Sequence, residues 1–160
     1  MLLLISDANV LIDMEAGELT QECFSLPYRF GIPDVLYEEE IKPGSPYFEL
    51  LGLEPMTVSE AFVNYAISLG DPVEADPGIN DRLALALSRE RRCPLLTGDM
   101  QLRTLAVKEG VEVRGTIWLI EQLLQHNRVT ATQAEHSLSL MKLRGRRLPW
   151  EQATEIIRRA

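Results

Sequence analysis

Short apolar runs alternate with stretches whose apolar residues recur at helical spacing, from the start of the chain to about residue 125. The apolar runs predict five strands, at Leu2–Ser6, Arg29–Pro33, Glu54–Val58, Cys93–Thr97 and Val111–Gly115. Strands that alternate with helices are typical of a parallel sheet covered on both faces. We therefore predict an α/β fold with a parallel sheet of about five strands flanked by helices.

The stretches between the strands carry helix start and stop signals. Thr20 is predicted to cap a short helix that Pro27 ends, and Asp34 is predicted to cap the next one. A loop rich in Pro, Gly and Asp is predicted over residues 70–80. The predicted helices cover Ala8–Ala16, Thr20–Leu26, Val35–Ile41, Glu60–Gly70, Asp81–Arg91, Met100–Gly110 and Thr116–Gln125.

The alternation stops in the last part of the chain. Thr130–Leu143 and Pro149–Arg159 are predicted to form two amphipathic helices joined by the sequence RGRRL. Because no long linker precedes them, we predict one domain over residues 1–160, with an α/β core at 1–125 and a helical extension at 126–160 packed on it. The segment KLRGRRLPW fits two interpretations, an RNA phosphate-backbone contact or a polar turn between helices.

Composition and charge narrow the class of protein. At 160 residues and 46% hydrophobic, the chain can bury a core of ordinary size. Its net charge of -8 argues against a simple basic protein that coats nucleic acid. The charge is uneven, about -12 over residues 1–125 and +4 over 126–160. This contrast fits an acidic site with a basic tail region, and equally two surfaces that differ in solvation.

Other features argue against metal-thiolate and membrane classes. Cys23 and Cys93 lack metal-type spacing, and we expect both to be buried free thiols. His126 and His136 make a poor ligand pair, which argues against zinc. The apolar start is too short for a signal peptide, and no apolar run reaches the ~20 residues that span a bilayer. We expect a cytoplasmic protein with no membrane partner.

Three aspartates occupy the same kind of place in the predicted fold. Asp7 ends the first strand, Asp99 follows the fourth, and Asp81 opens the helix that leads into the fourth strand. In the common order for such sheets the first and fourth strands are neighbours, and ligands bind beyond their carboxyl ends. A glutamate from the YEEEI helix, which follows the second strand, can approach the same edge. Four carboxylates would then converge.

Clustered carboxylates repel one another and need a counter-charge. No basic residue adjoins Asp7 or Asp99 in sequence, and Arg82 beside Asp81 is the candidate exception. A hard cation such as Mg²⁺ or Mn²⁺ suits oxygen ligands, and it supports phosphodiester hydrolysis. Taken singly, Asp7 and Asp99 also fit helix N-caps, Asp81 fits a first-turn acid, and YEEEI fits a solvated helix face.

The chain resembles the PIN-domain family, in particular small prokaryotic members related to the ribonucleases of toxin–antitoxin pairs. The pieces that carry the resemblance are SDANVLID, IPDVLYEEEI, NDRLALALSRERRCPLLTGDMQLR and GVEVRGTIWLIEQLL, in the family's order over residues 1–125. The resemblance implies a three-layer PIN-like fold and a Mg²⁺- or Mn²⁺-dependent endoribonuclease. It places Asp7, Asp81 and Asp99 at the family's acidic, metal-binding positions and Thr97 at a supporting hydroxyl position.

The fourth acid of the implied site has two candidates. Counting from Pro33 points to Glu39, whereas the apolar neighbours Tyr37 and Ile41 point to Glu40. We favour Glu40 as the catalytic glutamate, because that apolar pair at i,i+4 would face the core and orient it. Glu39 is then a supporting residue, and the remaining glutamate of YEEEI, at position 38, is expected to be exposed.

The resemblance also implies partners, namely an RNA substrate, an antitoxin protein and a second copy of the chain in a homodimer. A non-catalytic PIN-like module that binds RNA or protein stays open as an alternative. A phosphatase with Asp7 as nucleophile is a further alternative, although Asn9 stands where that chemistry places an acid.

Overall fold

One parallel sheet organises the chain in a computed structural model that describes residues 1–71, 73 and 76–160. The strands are β1 (Leu2–Ser6), β2 (Tyr28–Pro33), β3 (Glu54–Met56), β4 (Leu95–Leu96) and β5 (Val113–Arg114). Their order in the sheet is β3-β2-β1-β4-β5, so the order reverses between β1 and β4. The predicted α/β class and the five-stranded parallel sheet are confirmed.

Helices pack around this sheet. The helices are α1 (Ala8–Ala16), α2 (Thr20–Phe24), α3 (Asp34–Leu36) with a π-helical turn (Tyr37–Ile41), α4 (Phe48–Leu51), α5 (Glu60–Ser68), α6 (Ile79–Arg91), α7 (Met100–Lys108), α8 (Thr116–Gln125), α9 (Ala131–Leu143) and α10 (Trp150–Arg159). Helix α6 contacts β1, β2 and β4 and also contacts α5, while α1 contacts α2 and α8, and α2 contacts β2. Within the described residues, none of them has the length and apolar character that a bilayer crossing requires.

Strand β1 lies at the centre of the sheet, and its second half, Leu4–Ser6, is fully buried, as is typical of the inner strands of parallel sheets. Ile5 is fully buried and is in register with Gly31 of β2 and Leu95 of β4. A Cβ atom at Gly31 would lie 2.9 Å from Ile5 Cδ1 and 3.0 Å from Met56 Sδ. Glycine therefore allows this close packing, and the residue that follows β1 emerges at the middle of the carboxyl edge.

Several predicted boundaries are wrong by one to three residues. Thr20 does not cap α2, because Leu19 takes the cap position and accepts the first helical hydrogen bond, from Cys23 N at 2.8 Å. Asp34 is the first residue of α3, and its carboxylate accepts from Val35 N. Strands β3, β4 and β5 are shorter than predicted, because strand assignment needs backbone pairing and apolar character alone does not supply it.

Two other segments differ from the prediction. Phe48–Leu51 forms the short helix α4, which the sequence did not predict, and the buried Phe48 anchors it. Helix α6 starts at Ile79 and so takes the last two residues of the predicted loop at 70–80. Residues 72, 74 and 75 of that loop lie outside the described residues.

The helical extension packs on the rest of the fold. Helix α9 contacts α1 and α8, and α10 contacts α8 and α9. Thr130 and Gln133 form a capping box at the start of α9, with hydrogen bonds of 3.1 and 2.8 Å. A Cβ atom at Gly17 would lie 2.5 Å from Met141 Cε, so the end of α1 and the buried face of α9 are in close contact.

The cysteines and histidines play no part in the carboxyl edge of the sheet. Both cysteines are free thiols, but only Cys23 is buried as predicted, while Cys93 is half-buried. Burial raises the pKa of Cys23 to about 12 and that of Cys93 to about 11. His126 Nδ1 lies 2.9 Å from the carbonyl oxygen of Gln122, and His136 is exposed.

Candidate acidic site at the carboxyl edge of the sheet

Asp7 lies directly beyond β1 and is fully buried. Its Oδ1 accepts from Val10 N at 2.9 Å, so it does cap α1. Its Oδ2 accepts from the Thr97 hydroxyl at 2.6 Å, and its own N–H donates to Leu96 O at 2.9 Å. The same side chain therefore caps α1 and contributes to the candidate site, and it lies between the ends of β1 and β4.

Burial makes the charge on Asp7 costly. Loss of solvation raises the pKa of this carboxyl to about 7, the hydrogen bonds from Thr97 and Val10 lower it only in part, and the charges of Asp81 and Asp13 raise it. A buried carboxylate with this pKa favours a proton or a cation close by.

Asp99 faces the same edge from the end of β4. Its Oδ1 accepts from Leu102 N at 2.8 Å, which caps α7, and its N–H donates to the Thr97 hydroxyl at 3.1 Å. The buried Thr97 hydroxyl therefore donates to the Asp7 carboxylate and accepts from the Asp99 backbone, and it links the two residues.

Asp81 lies in the first turn of α6 and is partly buried. Its pKa is raised to about 6, first by burial and then by the charges of Asp99, Glu40 and Asp76. Its neighbour Arg82 gives no counter-charge, because that guanidinium turns away to the carbonyl oxygens of the residues at 66, 67 and 77. Within the described chain, the Asp81 carboxylate accepts no hydrogen bond.

The glutamates come from the π-helical turn. Tyr37 and Ile41 are buried as predicted, and the wider turn closes through Lys42 N to Tyr37 O at 2.9 Å. Asn80 Nδ2 donates to Glu39 Oε2 at 2.7 Å and to Glu40 Oε2 at 3.0 Å.

Electrostatics separates the two glutamates. Glu40 is among the charges that raise the pKa of Asp81, and Glu39 is not. Glu38 is exposed and pairs with Lys42 at 3.4 Å, as the sequence predicted for that position. Glu40 is therefore the glutamate of this turn whose charge acts on Asp81.

The donor set fits a hard divalent cation. The side chains whose charges act on one another at this edge are all carboxylates, and carboxylate oxygens are ligands that Mg²⁺ and Mn²⁺ prefer. Among the described residues, no three His, Cys, Asp or Glu side chains are grouped tightly enough to hold a metal by themselves. Magnesium usually keeps several waters and takes one or two carboxylates, so an open arrangement of this kind is compatible with it. Asp7, Asp81 and Asp99 are the residues whose carboxylates would hold the ion, one or two of them directly and the others through water.

Sequence reasoning missed two residues that shape this edge. Asn80 orients both glutamates, and nothing in its local sequence indicated that role. Asp13 is buried on α1, where its Oδ2 accepts from Thr116 Oγ1 at 2.7 Å and its Oδ1 accepts from Arg146 Nε at 2.6 Å. An aspartate on the apolar side of a helix was a signal that could have been found.

The volume of a cavity does not by itself identify the candidate site. A cavity of about 770 Å³ lies at the opposite end of the sheet, lined by Leu2, Cys93, Pro94 and Glu112 among others, and it contains none of the four acids. A smaller cavity of about 370 Å³ includes Asp99. The chemistry of the side chains therefore favours the carboxyl edge.

Comparison with known families supports the resemblance seen in the sequence. A family model described as a PIN domain matches residues 3–160, which includes the helical extension. A comparison with the curated proteins found no match.

Proposed function

The chain belongs to the PIN-domain family, whose fold is of the nuclease type, and we propose that it is a Mg²⁺- or Mn²⁺-dependent endoribonuclease. The observation that carries the proposal is the electrostatic interaction of carboxylates at one edge of the sheet, where the charge of Asp81 acts on Asp7 and the charges of Asp99 and Glu40 act on Asp81. Burial, followed by the charges of Asp99, Glu40 and Asp76, raises the pKa of Asp81 to about 6, and burial raises that of Asp7 to about 7. Such a cluster is costly until a cation neutralises it.

Some residues of the site hold the carboxylates in position, and the carboxylates themselves would bind the cation. Val10 N and the Thr97 hydroxyl hold Asp7 in one orientation, and Leu102 N holds Asp99. These fixed carboxylates and Asp81 would bind the cation, which supplies charge neutralisation at the phosphodiester and at its leaving oxygen. Asn80 donates a hydrogen bond to Glu40, and this carboxylate, whose charge acts on Asp81, can accept a proton from an attacking water.

The finer biological role follows the family resemblance. We propose that the protein acts as the toxin of a toxin–antitoxin pair, inhibited by an antitoxin protein, and that it forms a homodimer in the cytoplasm. Growth arrest on expression, relieved by the product of an adjacent reading frame, tests the first part. Light scattering of the purified protein tests the second.

Cleavage of RNA by the purified full-length chain tests the enzymatic proposal. We expect single-stranded RNA to be cut in Mn²⁺ or Mg²⁺, not to be cut in EDTA, and to survive with Asp7→Asn or Asp99→Asn. Glu38→Gln is the matched control, because that carboxylate is exposed and pairs only with Lys42 among the described residues. Cleavage without metal, or full activity in both aspartate variants, contradicts the proposal.

One observation favours a second candidate, a non-catalytic module that binds RNA or protein. Both carboxylate oxygens of Asp7 already accept hydrogen bonds, from Val10 N and Thr97 Oγ1, which leaves them fewer lone pairs for a cation. RNA binding without turnover across a range of divalent metals would support this candidate over the nuclease.

A further inference from the structure

The turn between α9 and α10 returns to the acidic edge of the sheet. A cavity of about 370 Å³ has Gly98 and Asp99 from the loop after β4 on one side, and Gly145, Arg146 and Arg147 from the turn on the other. The basic part of the helical extension therefore borders the candidate site directly.

The position of this turn is fixed by its first arginines. Arg146 Nε donates to Asp13 Oδ1 at 2.6 Å, and its Nη2 lies 3.3 Å from Asn9 O and 3.4 Å from Asn9 Oδ1. Arg144 Nη1 donates to Ala16 O at 2.7 Å. Because the turn is tied to α1 at two points, it keeps its shape without a ligand, which lowers the entropy cost of binding one.

Arg147 differs from these two arginines. It is exposed, lines the same cavity, and has no hydrogen bond or ion pair with any residue that the structure describes. Arg146 is neutralised by the buried Asp13 carboxylate, whereas the charge of Arg147 is free to meet an anion. A guanidinium presents paired N–H groups that match phosphate oxygens.

Acidic residues surround Asp81 on the side of the π-helical turn. Glu39 and Glu40 are exposed on the π-helical turn, and the charge of Asp76 acts on Asp81. A polyanion approaching over that side meets repulsion, so its favourable approach is over the Asp99 side.

From these contacts we infer that the turn at residues 144–148 forms one wall of the substrate groove, and that Arg147 binds a phosphate of the RNA strand next to the bond to be cut. The inference rests on the proposed function for its substrate. It gives the helical extension a role in substrate binding. Both interpretations of the KLRGRRLPW segment then apply, because Arg146 stabilises the turn between the helices and Arg147 contacts the RNA backbone.

RNA binding over a range of salt concentrations tests the inference. All proteins carry Asp7→Asn to suppress cleavage, and a labelled single-stranded oligoribonucleotide is titrated in Mn²⁺ by fluorescence anisotropy. We expect Arg147→Ala to weaken binding about five-fold at low salt and to reduce the slope of log K against log salt by about 0.7, the loss of one phosphate contact on a single strand. Arg147→Lys should keep most of that slope.

Arg158→Ala is the matched control, because Arg158 is an exposed arginine of the same extension and lines a separate cavity with Trp150 and Glu155. Equal effects of Arg147→Ala and Arg158→Ala, or no RNA binding by the parent protein, overturn the inference. Cleavage by the unsubstituted protein is scored separately. If the unsubstituted protein cleaves RNA but the Arg147 and Arg158 variants bind RNA equally, only the groove assignment is rejected. If binding depends on Arg147 but the unsubstituted protein does not cleave RNA, only the nuclease proposal is rejected. Thermal unfolding of each variant shows that the fold is retained.

Discussion

The hydroxyl of Thr97 donates a 2.6 Å hydrogen bond to Oδ2 of Asp7, across 90 residues of sequence and the boundary between the two central strands. Because the same hydroxyl accepts from Asp99 N at 3.1 Å, one buried oxygen connects both aspartates that follow a strand. This contact is possible because β1 and β4 are hydrogen-bonded neighbours in the sheet.

Loss of this hydroxyl should change both stability and titration. We expect Thr97→Val to lower the free energy of unfolding by about 1–3 kcal/mol, the cost of leaving buried polar groups unpaired, and to raise the pKa of Asp7 further. The acidic limb of the pH–rate profile for RNA cleavage should then move to higher pH. Thr97→Ser, which keeps the hydroxyl, is the control, and a Val profile that coincides with the Ser profile contradicts this role.

Stability of the metal-free protein should depend on pH in a defined window. The pKa of Asp7 is raised from 3.8 to about 7 and that of Asp81 to about 6, so between these limits the folded state binds more protons than the unfolded state. The free energy of unfolding in EDTA should therefore fall from about pH 4 to about pH 7 on account of these groups. Urea unfolding at several pH values measures it.

Asp7→Asn separates this effect from other titrations. The variant has no proton to lose at this position, so its decline across the window should be shallower, and at pH 8 it should unfold at a higher temperature than the unsubstituted metal-free protein. Added Mn²⁺ should raise the unfolding temperature of the unsubstituted protein more at pH 8 than at pH 5, because protons compete for the carboxylates. Identical pH dependence in the two proteins would contradict the raised pKa of Asp7.

The two candidate glutamates should differ in their effect on cleavage. Glu40→Gln is expected to lower kcat about 100-fold, within the range for loss of a catalytic acid or base, because the charge of Glu40 is the one that acts on Asp81. Glu39→Gln should have a smaller effect, since it changes only a residue that shares the Asn80 amide. Single-turnover rates in Mn²⁺ measure both, and a greater loss in Glu39→Gln would exchange their roles.

The ion pair beneath the C-terminal turn should matter for stability more than surface pairs do. Arg146→Met leaves the buried Asp13 carboxylate without its cation and is expected to cost about 3 kcal/mol of unfolding free energy, in the range for breaking a buried pair. Adding Asp13→Asn in the same chain should recover part of that loss, because no buried charge is then left unpaired. Chemical denaturation of the two single variants and the double variant gives the coupling, and independent effects of the two changes would contradict it.

The matched control for that experiment is Arg159→Met. Arg159 pairs with Glu155 at 3.3 Å, but both side chains are largely exposed, and exposed pairs contribute little. Its substitution should change the unfolding free energy by less than about 1 kcal/mol.

Much of the fold followed from local patterns. Helices α1, α7 and α8 were predicted at or near their observed bounds, because an N-cap or glycine lies at the start of each and the apolar spacing is regular. Strand β1 was also predicted with its observed bounds, since a continuous apolar run ends at a polar residue. The short strands β4 and β5 were overestimated, because their length depends on which backbone groups find a partner across the sheet.

The candidate site, too, was predicted from the sequence only in its local features. The sequence by itself determined that Asp7 and Asp99 follow strands and begin helices, because a cap and a strand end are properties of a few adjacent residues. Only the tertiary structure decided that Arg82 turns away from Asp81, that Glu40 and not Glu39 acts on it, and that Arg147 borders Asp99. These relationships depend on distances between segments far apart in the chain, and such distances are set by how the helices pack on the sheet.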